Sequence, residues 1–308
     1  MSFPRLRTIF LGTPEAAVPS LEQLTSVSEV VAVITRPDRP RGRSGQPQSS
    51  AVKLAAARMG LSVLQPSGSA ELTAVLADLA PLDVAVVTAF GSLLRPEALA
   101  IPRRGFLNLH FSLLPRWRGA SPVTAAIAAG DVETGVTIMS LDSGLDTGPI
   151  VAARAVVIGL VENGGELTAR LAALGAELLG EVMAPWARDE IEAFAQPEAS
   201  ATLAPRLRPG DLRLDLDLPA SKLALRVRAL APRPGATLEI DGQRVRVLAA
   251  DPAVVRLPRG HLGLVDDRVM VGTSAAALEL LTIHPPGRNP MSARDWWRGT
   301  RRTPDTAR

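Results

Sequence analysis

Up to about residue 185, short β-like runs alternate with helix-like segments, and no other feature of the chain constrains its fold as strongly. Thr8–Leu11 ends at Gly12-Thr13-Pro14, and a helical stretch carrying Val18, Leu21 and Leu24 follows. Val30–Thr35 is the next strand, then a Pro/Gly/Arg loop runs from Arg36 to about Ser50. A helix near Val52–Met59 leads to Leu61–Leu64, a second covers Ala70–Leu79, and Val84–Ala89 reads as a buried strand. Further strands are expected at Gly105–Phe111, Gly135–Leu141 and Ile150–Val157, with a helix over Glu166–Met183. Strand–helix alternation builds right-handed βαβ units, so the predicted class is α/β: a doubly wound, mostly parallel, Rossmann-like sheet.

The pattern changes near residue 195. Gln196–Gly210 is rich in Pro, Ala and Ser and reads as a linker. Beyond it lie a helical stretch, Ser221–Leu230, and a turn at Pro232–Gly235. Short runs follow at Thr237–Ile240, Arg244–Leu248, His261–Val265, Val269–Thr273 and Ala277–Thr282, with Asp241-Gly242 as a hairpin signal. Five short strands with tight turns predict a small, OB-like β-barrel. The expected division is therefore 1–190, a linker at 191–208, and a second domain at 209–308.

Composition removes several chemistries. Cys and Tyr are absent, which excludes disulfides, thiol catalysis and a Tyr acid/base pair. His110, His261 and His284 are the three histidines, so a three-His metal site would need every one of them; no metal is expected. No apolar stretch reaches ~18 residues and the start MSFPRLRT lacks an apolar core, so a membrane span and a secretory leader are not expected. Neither G-x-G-x-x-G nor G-x-x-x-x-G-K-[ST] occurs, which argues against dinucleotide and NTP sites. The sequence pI of 10.3 overstates the basicity: net charge is only +3, and with two Lys against 32 Arg little titrates at alkaline pH. The charge is unevenly placed. Residues 1–208 carry 18 basic and 20 acidic side chains, residues 209–308 carry 16 and 11, which hints at a polyanion-facing second domain.

Two segments concentrate polar residues at strand ends. In Asn108–Gly119 (NLHFSLLPRWRG), strand alternation puts Asn108 and His110 on one face and Leu107, Leu109 and Phe111 on the other. An amide donor beside an imidazole at a strand end fits the crevice of an open α/β sheet; an Asn and a His satisfied locally is the competing reading. In Leu141–Pro149 (LDSGLDTGP), two acids and two glycines require a structured loop. Its carboxylates could serve a histidine or simply close an Asx-turn.

Together these segments resemble the 10-formyltetrahydrofolate-dependent formyltransferase family, in which an N-x-H strand and an S-L-L-P segment precede a D-x-G-x-D-T-G-like loop by some 30 residues. The resemblance extends along the chain through Gly12–Glu15 (GTPE), Arg36–Pro40 with Gly42-Arg43, Leu113–Ala120 (LLPRWRGA), Val227–Ala236 and Pro290–Gly299 (PMSARDWWRG). It points to the branch that formylates the α-amino group of methionyl initiator tRNA for translation initiation. By resemblance, Asn108, His110 and Asp146 are the catalytic residues, and 10-formyltetrahydrofolate is the co-substrate. Phe90, Gly91 and Leu93, the Ser112, Leu113, Leu114, Pro115 segment and Asp142 are its expected contacts.

The resemblance further implies tRNA contacts from the loop residues Arg36, Arg39, Arg41 and Arg43, and from Arg228, Arg233, Arg298, Arg301 and Arg302 in a tRNA-binding second domain. A cytoplasmic, membrane-free monomer is expected. The chain departs from the family at Ala16, at Ala89–Ser92 (AFGS), in the run LRLDLDL and at His284, which bears on methionine and tRNA contacts. Two other readings compete: a relative acting on a non-tRNA amine such as an amino sugar, or hydrolysing the folate, and a catalytically silent RNA-binding module. The second does not fit the intact Asn108, His110 and Asp146.

Overall fold

A computed structural model describes residues 5–40, 45–299 and 305–306. In chain order the elements that matter here begin with β1 (Arg7–Gly12), α1 (Val18–Val27), β2 (Glu29–Ile34), α2 (Ala51–Arg58), β3 (Val63–Leu64), α3 (Ser69–Leu79), β4 (Val84–Thr88) and β5 (Phe106–His110). They continue with α4 (Pro122–Ala129), β6 (Glu133–Ser140), β7 (Ile150–Val157) and α5 (Gly164–Ala187). The rest comprises α6 (Ala220–Leu230), β8 (Ala236–Ile240), β9 (Gln243–Ala253), β10 (His261–Val265), β11 (Arg268–Gly272), β12 (Ala277–His284) and α7 (Ala293–Gly299).

The chain divides into two compact units. The first holds residues 1–120, 133–157 and 168–203; the second holds 121–132, 158–167 and 204–308. The stretch 191–208, expected as a linker, is thus shared between the units at 203/204.

The first unit is the α/β domain. Its sheet has the order β3-β2-β1-β4-β5-β6-β7, parallel from β3 to β5 and antiparallel at β5/β6 and β6/β7. Every residue of β4 (VAVVT) is buried, which is why this run is apolar throughout instead of alternating. Ile9, Leu11, Ala32, Ile34, Ala85, Val87 and Phe106 form one core layer with Leu72 and Leu76 of α3. α2 starts at Ser50, whose hydroxyl accepts the Lys53 N–H at 3.0 Å, the cap that its free first-turn donors require. The face opposite the site is closed by α5. A Cβ on Gly175 would lie 2.6 Å from Leu109 Cδ2, so only glycine lets this helix approach β5 so closely.

The second unit has an antiparallel sheet of order β8-β9-β12-β11-β10, the curled sheet of a small barrel-like domain. β9 shifts register on β12 around Val247–Ala250, a bulge that bends the longest strand so the sheet can curl. Leu223, Val227 and Leu230 of α6 and Trp296 and Trp297 of α7 enter one core with Leu238, Val245, Val247, Leu262, Leu278 and Ile283. The two tryptophans meet edge-on at 6.5 Å, which explains the WW pair in the last helix. Among the described residues no helix is long and apolar enough to cross a membrane.

Candidate active site

The site is built on β5 and two loops of the first unit. β5 lies near the middle of the sheet with all five residues buried. Leu109 faces α5, so strand alternation turns Asn108 and His110 the other way, as the sequence predicted. The first loop, residues 111–120, is tied down by its own side chains. Ser112 Oγ donates to Arg116 O at 2.6 Å, while Thr137 Oγ1 of β6 donates to Ser112 O at 2.7 Å and accepts the Leu114 N–H at 3.1 Å. Leu114 packs with Met139 and Ile150. Ser112 and Leu114, expected at the folate, therefore spend their side chains on holding this loop.

The second loop, 141–149, joins the antiparallel pair β6–β7. β6 returns beside β5 with Thr137 opposite His110 and Ser140 opposite Leu107, and the loop carries Asp146 back to His110. Asp142 closes it: its carboxylate accepts the Gly144 N–H at 2.9 Å and the Thr147 hydroxyl at 2.8 Å, the Asx-turn reading for this acid. A Cβ on Gly148 would sit 1.8 Å from Ser140 O, so the loop's exit tolerates only glycine.

These loops enclose His110, which is 6% exposed. Its Nε2 lies 2.9 Å from Trp117 O; a carbonyl only accepts, so Nε2 carries the hydrogen and Nδ1 the lone pair. Nδ1 is 3.7 Å from Asp146 Oδ2. That gap is too long for a direct hydrogen bond, yet short enough for the carboxylate to favour an imidazolium. Asp146 Oδ2 itself accepts the Gly119 N–H at 2.8 Å. Burial pushes the imidazole below its ordinary 6.5, against the opposing pull of Asp146 and of the Trp117 carbonyl. The ring is thus held neutral, in one tautomer, with a basic nitrogen facing a carboxylate. Asn108 is 9% exposed and, among the described residues, its amide is engaged by no other side chain, which leaves two N–H donors for an external oxygen. Trp117 and Asp146 both adopt positive φ, 64° and 52°; aspartate tolerates this conformation, but a bulky tryptophan avoids it unless the surroundings enforce it.

A cavity of about 290 Å³ in this unit is lined by Phe90, Leu93, Arg36, Arg39 and Ser69, among others. Phe90 is buried, Leu93 is 82% exposed, and Gly91 has φ 73°, which glycine adopts freely. The described start of the Arg36–Ser50 loop is anchored by Asp38, whose carboxylate accepts from Lys53 Nζ at 2.6 Å and from Gln65 Nε2 at 2.9 Å. The Lys53 and Gln65 hydrogen bonds hold that carboxyl below its usual range. Gln65 Nε2 also donates to Arg36 O at 2.8 Å, and Arg39 lies exposed in a two-residue pairing with Pro47-Gln48. Of the other arginines expected at tRNA, Arg228 donates to the carbonyls of Gly159 and Leu160, Arg298 to Asp267, and Arg233 is exposed. Arg41, Arg43, Arg301 and Arg302 lie outside the described residues.

The formyl transferase family matches residues 6–183, and the formyl transferase C-terminal domain matches residues 206–301. The chain belongs to the formyltransferase family. It is 42% identical over 301 residues to the methionyl-tRNA formyltransferase of Mycobacterium sp. (strain KMS), covering 96% of this chain and 97% of that protein. With the methionyl-tRNA formyltransferase of Mycobacterium ulcerans it shares 43% identity over 308 residues, 97% of this chain and 98% of that one. An N-formyltransferase from Helicobacter canadensis, solved with folinic acid and dTDP-3-aminofucose, has the same fold at a TM-score of 0.68 and 18% identity, covering 89% of this chain and 98% of that one.

The sequence of this formyltransferase carries no signal for Trp117, Gly119, Gln196 or Thr202. Trp117 and Gly119 act through backbone groups, which leave no side-chain signature, and Gln196 stands inside the run that reads as a linker. No group of three or more potential metal ligands occurs among the described residues.

Proposed function

We propose that this formyltransferase transfers the formyl group of 10-formyltetrahydrofolate to the α-amino group of methionyl initiator tRNA, with Asn108, His110 and Asp146 at the reacting centre. The observation that carries the substrate is identity of 42–43% over nearly the whole length to methionyl-tRNA formyltransferases, second domain included. An enzyme acting on an amino sugar has weaker support, since the neighbour solved with one shares the fold at only 18% identity.

The co-substrate supplies an electrophilic formyl carbon and a leaving nitrogen; this chain's residues manage charge and one proton. Asn108 donates its amide hydrogens to the formyl oxygen as the attacking amine forms the new C–N bond and that oxygen becomes an oxyanion. His110 Nδ1 takes the proton that the amine loses, and the resulting imidazolium is held between Asp146 and the Trp117 carbonyl. His110 then delivers that proton to the leaving nitrogen as its bond to carbon breaks, which regenerates the neutral ring. Atoms balance without a covalent enzyme intermediate. Phe90, Gly91, Leu93, Ser112, Leu113, Leu114, Pro115 and Asp142 surround the folate in this reading, some through backbone groups alone. Residues 1–190 act as the catalytic domain and 209–308 as the tRNA-binding domain of a cytoplasmic monomer.

Purified protein with 10-formyltetrahydrofolate and methionyl initiator tRNA is expected to give formylmethionyl-tRNA; formylation of an amino sugar but not of the tRNA would overturn the substrate. A second experiment addresses the Arg36 loop. Arg36→Ala with Arg39→Ala is expected to raise KM for tRNA severalfold and to flatten its dependence on salt by about two phosphate contacts. kcat should stay near wild type. An unchanged salt slope would remove both arginines from the tRNA contact.

A further inference from the structure

We propose that Gln196 is a positioning residue for the formyl-transfer centre, one amide that fixes the Asp146 loop against the Trp117–Gly119 loop. This rests on the catalytic reading of His110 and Asp146 above. Gln196 Nε2 donates to Asp146 O at 2.9 Å and to Gly148 O at 2.7 Å, so both its hydrogens are spent on the carbonyls flanking Thr147. Its Oε1 accepts from Arg118 Nε at 3.0 Å. Arg118 is 4% exposed, and its Nη1 also reaches the Glu198 carboxylate at 2.9 Å. The same segment grips the first loop through Thr202: its Oγ1 accepts the Trp117 N–H at 2.9 Å and its carbonyl accepts the Arg118 N–H at 2.8 Å. Phe194 adds a backbone pair with Ile150, the first residue of β7. Residues 194–202 therefore form a strap whose partners are the two catalytic loops.

The strap meets a physical need. Trp117 and Asp146, the residues whose groups face the two nitrogens of His110, hold positive-φ backbones, and for the bulky Trp117 that conformation persists only where neighbouring bonds over-determine it. The carbonyl Gln196 binds belongs to Asp146 itself, so this side chain helps fix the backbone from which the carboxylate, also held by the Gly119 N–H, stands 3.7 Å from the imidazole. Asp146 is the charged group that bears on His110; Thr137, opposite it on β6, is neutral. A reactive geometry misplaced by about 1 Å can cost ~10²-fold in rate.

The test compares Gln196→Ala, Gln196→Glu and Asp146→Asn in the full-length enzyme. Gln196→Glu keeps the size and the acceptor for Arg118 but loses both donors. Either Gln196 variant is expected to lower kcat by about 10- to 100-fold with KM for tRNA and folate within about twofold. NMR titration of His110 in the substrate-free protein should show its midpoint moved to lower pH in Gln196→Ala, in the direction of Asp146→Asn, because the carboxylate no longer stays close. Gln196→Glu, which adds a carboxylate of its own, is read by rate alone. Combining Gln196→Ala with Asp146→Asn should cost less than about threefold beyond Asp146→Asn alone, since both act through one contact. Gln196→Glu with wild-type activity, an unmoved His110 midpoint in Gln196→Ala, or fully multiplicative losses would each overturn the proposal. The titration needs no substrate, so it separates failure of this inference from failure of the tRNA reading.

Discussion

His110→Ala is expected to lower kcat/KM for methionyl-tRNA by about 10³-fold, inside the 10²–10⁴ range that positioned proton transfer supplies. The ring is the one imidazole in the described site, and its Nδ1, the proposed base, faces Asp146. The pH profile gives a second reading of the same residue. Only the neutral ring can accept the amine proton, so wild-type kcat/KM falls on the acid side through the His110 pKa, which burial places below 6.5. Asp146→Asn removes the charge that supports the imidazolium, so its acid limb lies lower still. Stability follows the same linkage. The unfolded histidine binds a proton near its ordinary pKa while the folded one resists it, so the stabilisation from a neutral buried ring is complete above about pH 6.5. It is lost as pH falls toward the depressed folded value. Thermal melts of wild type and His110→Ala across that window, beside formylation rates, check both halves. A variant that keeps its rate within tenfold would exclude His110 as the proton carrier.

Asn108→Ala is expected to lower kcat by about 10²–10³-fold with little change in KM, because its donors meet a charge present only in the transition state. This corresponds to the ~3–4 kcal/mol typical of removing one oxyanion donor. Single-turnover formylation at saturating tRNA and folate measures it. A loss confined to KM would make Asn108 a ground-state contact instead. The lost amide should barely move the melting temperature, since among the described residues no side chain depends on it.

Much of the fold was legible because its signals are local. The GTP turn after β1, the continuous apolar run of β4 and the Asp241-Gly242 hairpin each state their own conformation. So did the alternation that sends Asn108 and His110 to one face, since strand period is a property of the strand alone. The strand at 133–140 was also readable, but not that it runs antiparallel to β5, and that direction decides where the Asp146 loop returns. In the segment 191–208 the Pro, Ala and Ser composition reports weak local preference and says nothing of tertiary partners. Part of it hydrogen-bonds to both loops around His110.

Sequence alone determined the chemical groups of the proposed centre: a donor amide, an imidazole and a carboxylate, carried by motifs whose residue types the proposed reaction needs. It also placed the Arg excess in one loop and one domain, although the structure turns Arg228 and Arg298 toward internal partners. Only the tertiary structure decided the state of those groups. The tautomer of His110 depends on a carbonyl seven residues away, its basicity on burial and on Asp146, and the position of Asp146 on a glutamine fifty residues further on. Backbone carbonyls carry no residue identity and through-space distances no sequence spacing, so these terms exist only once the chain is folded.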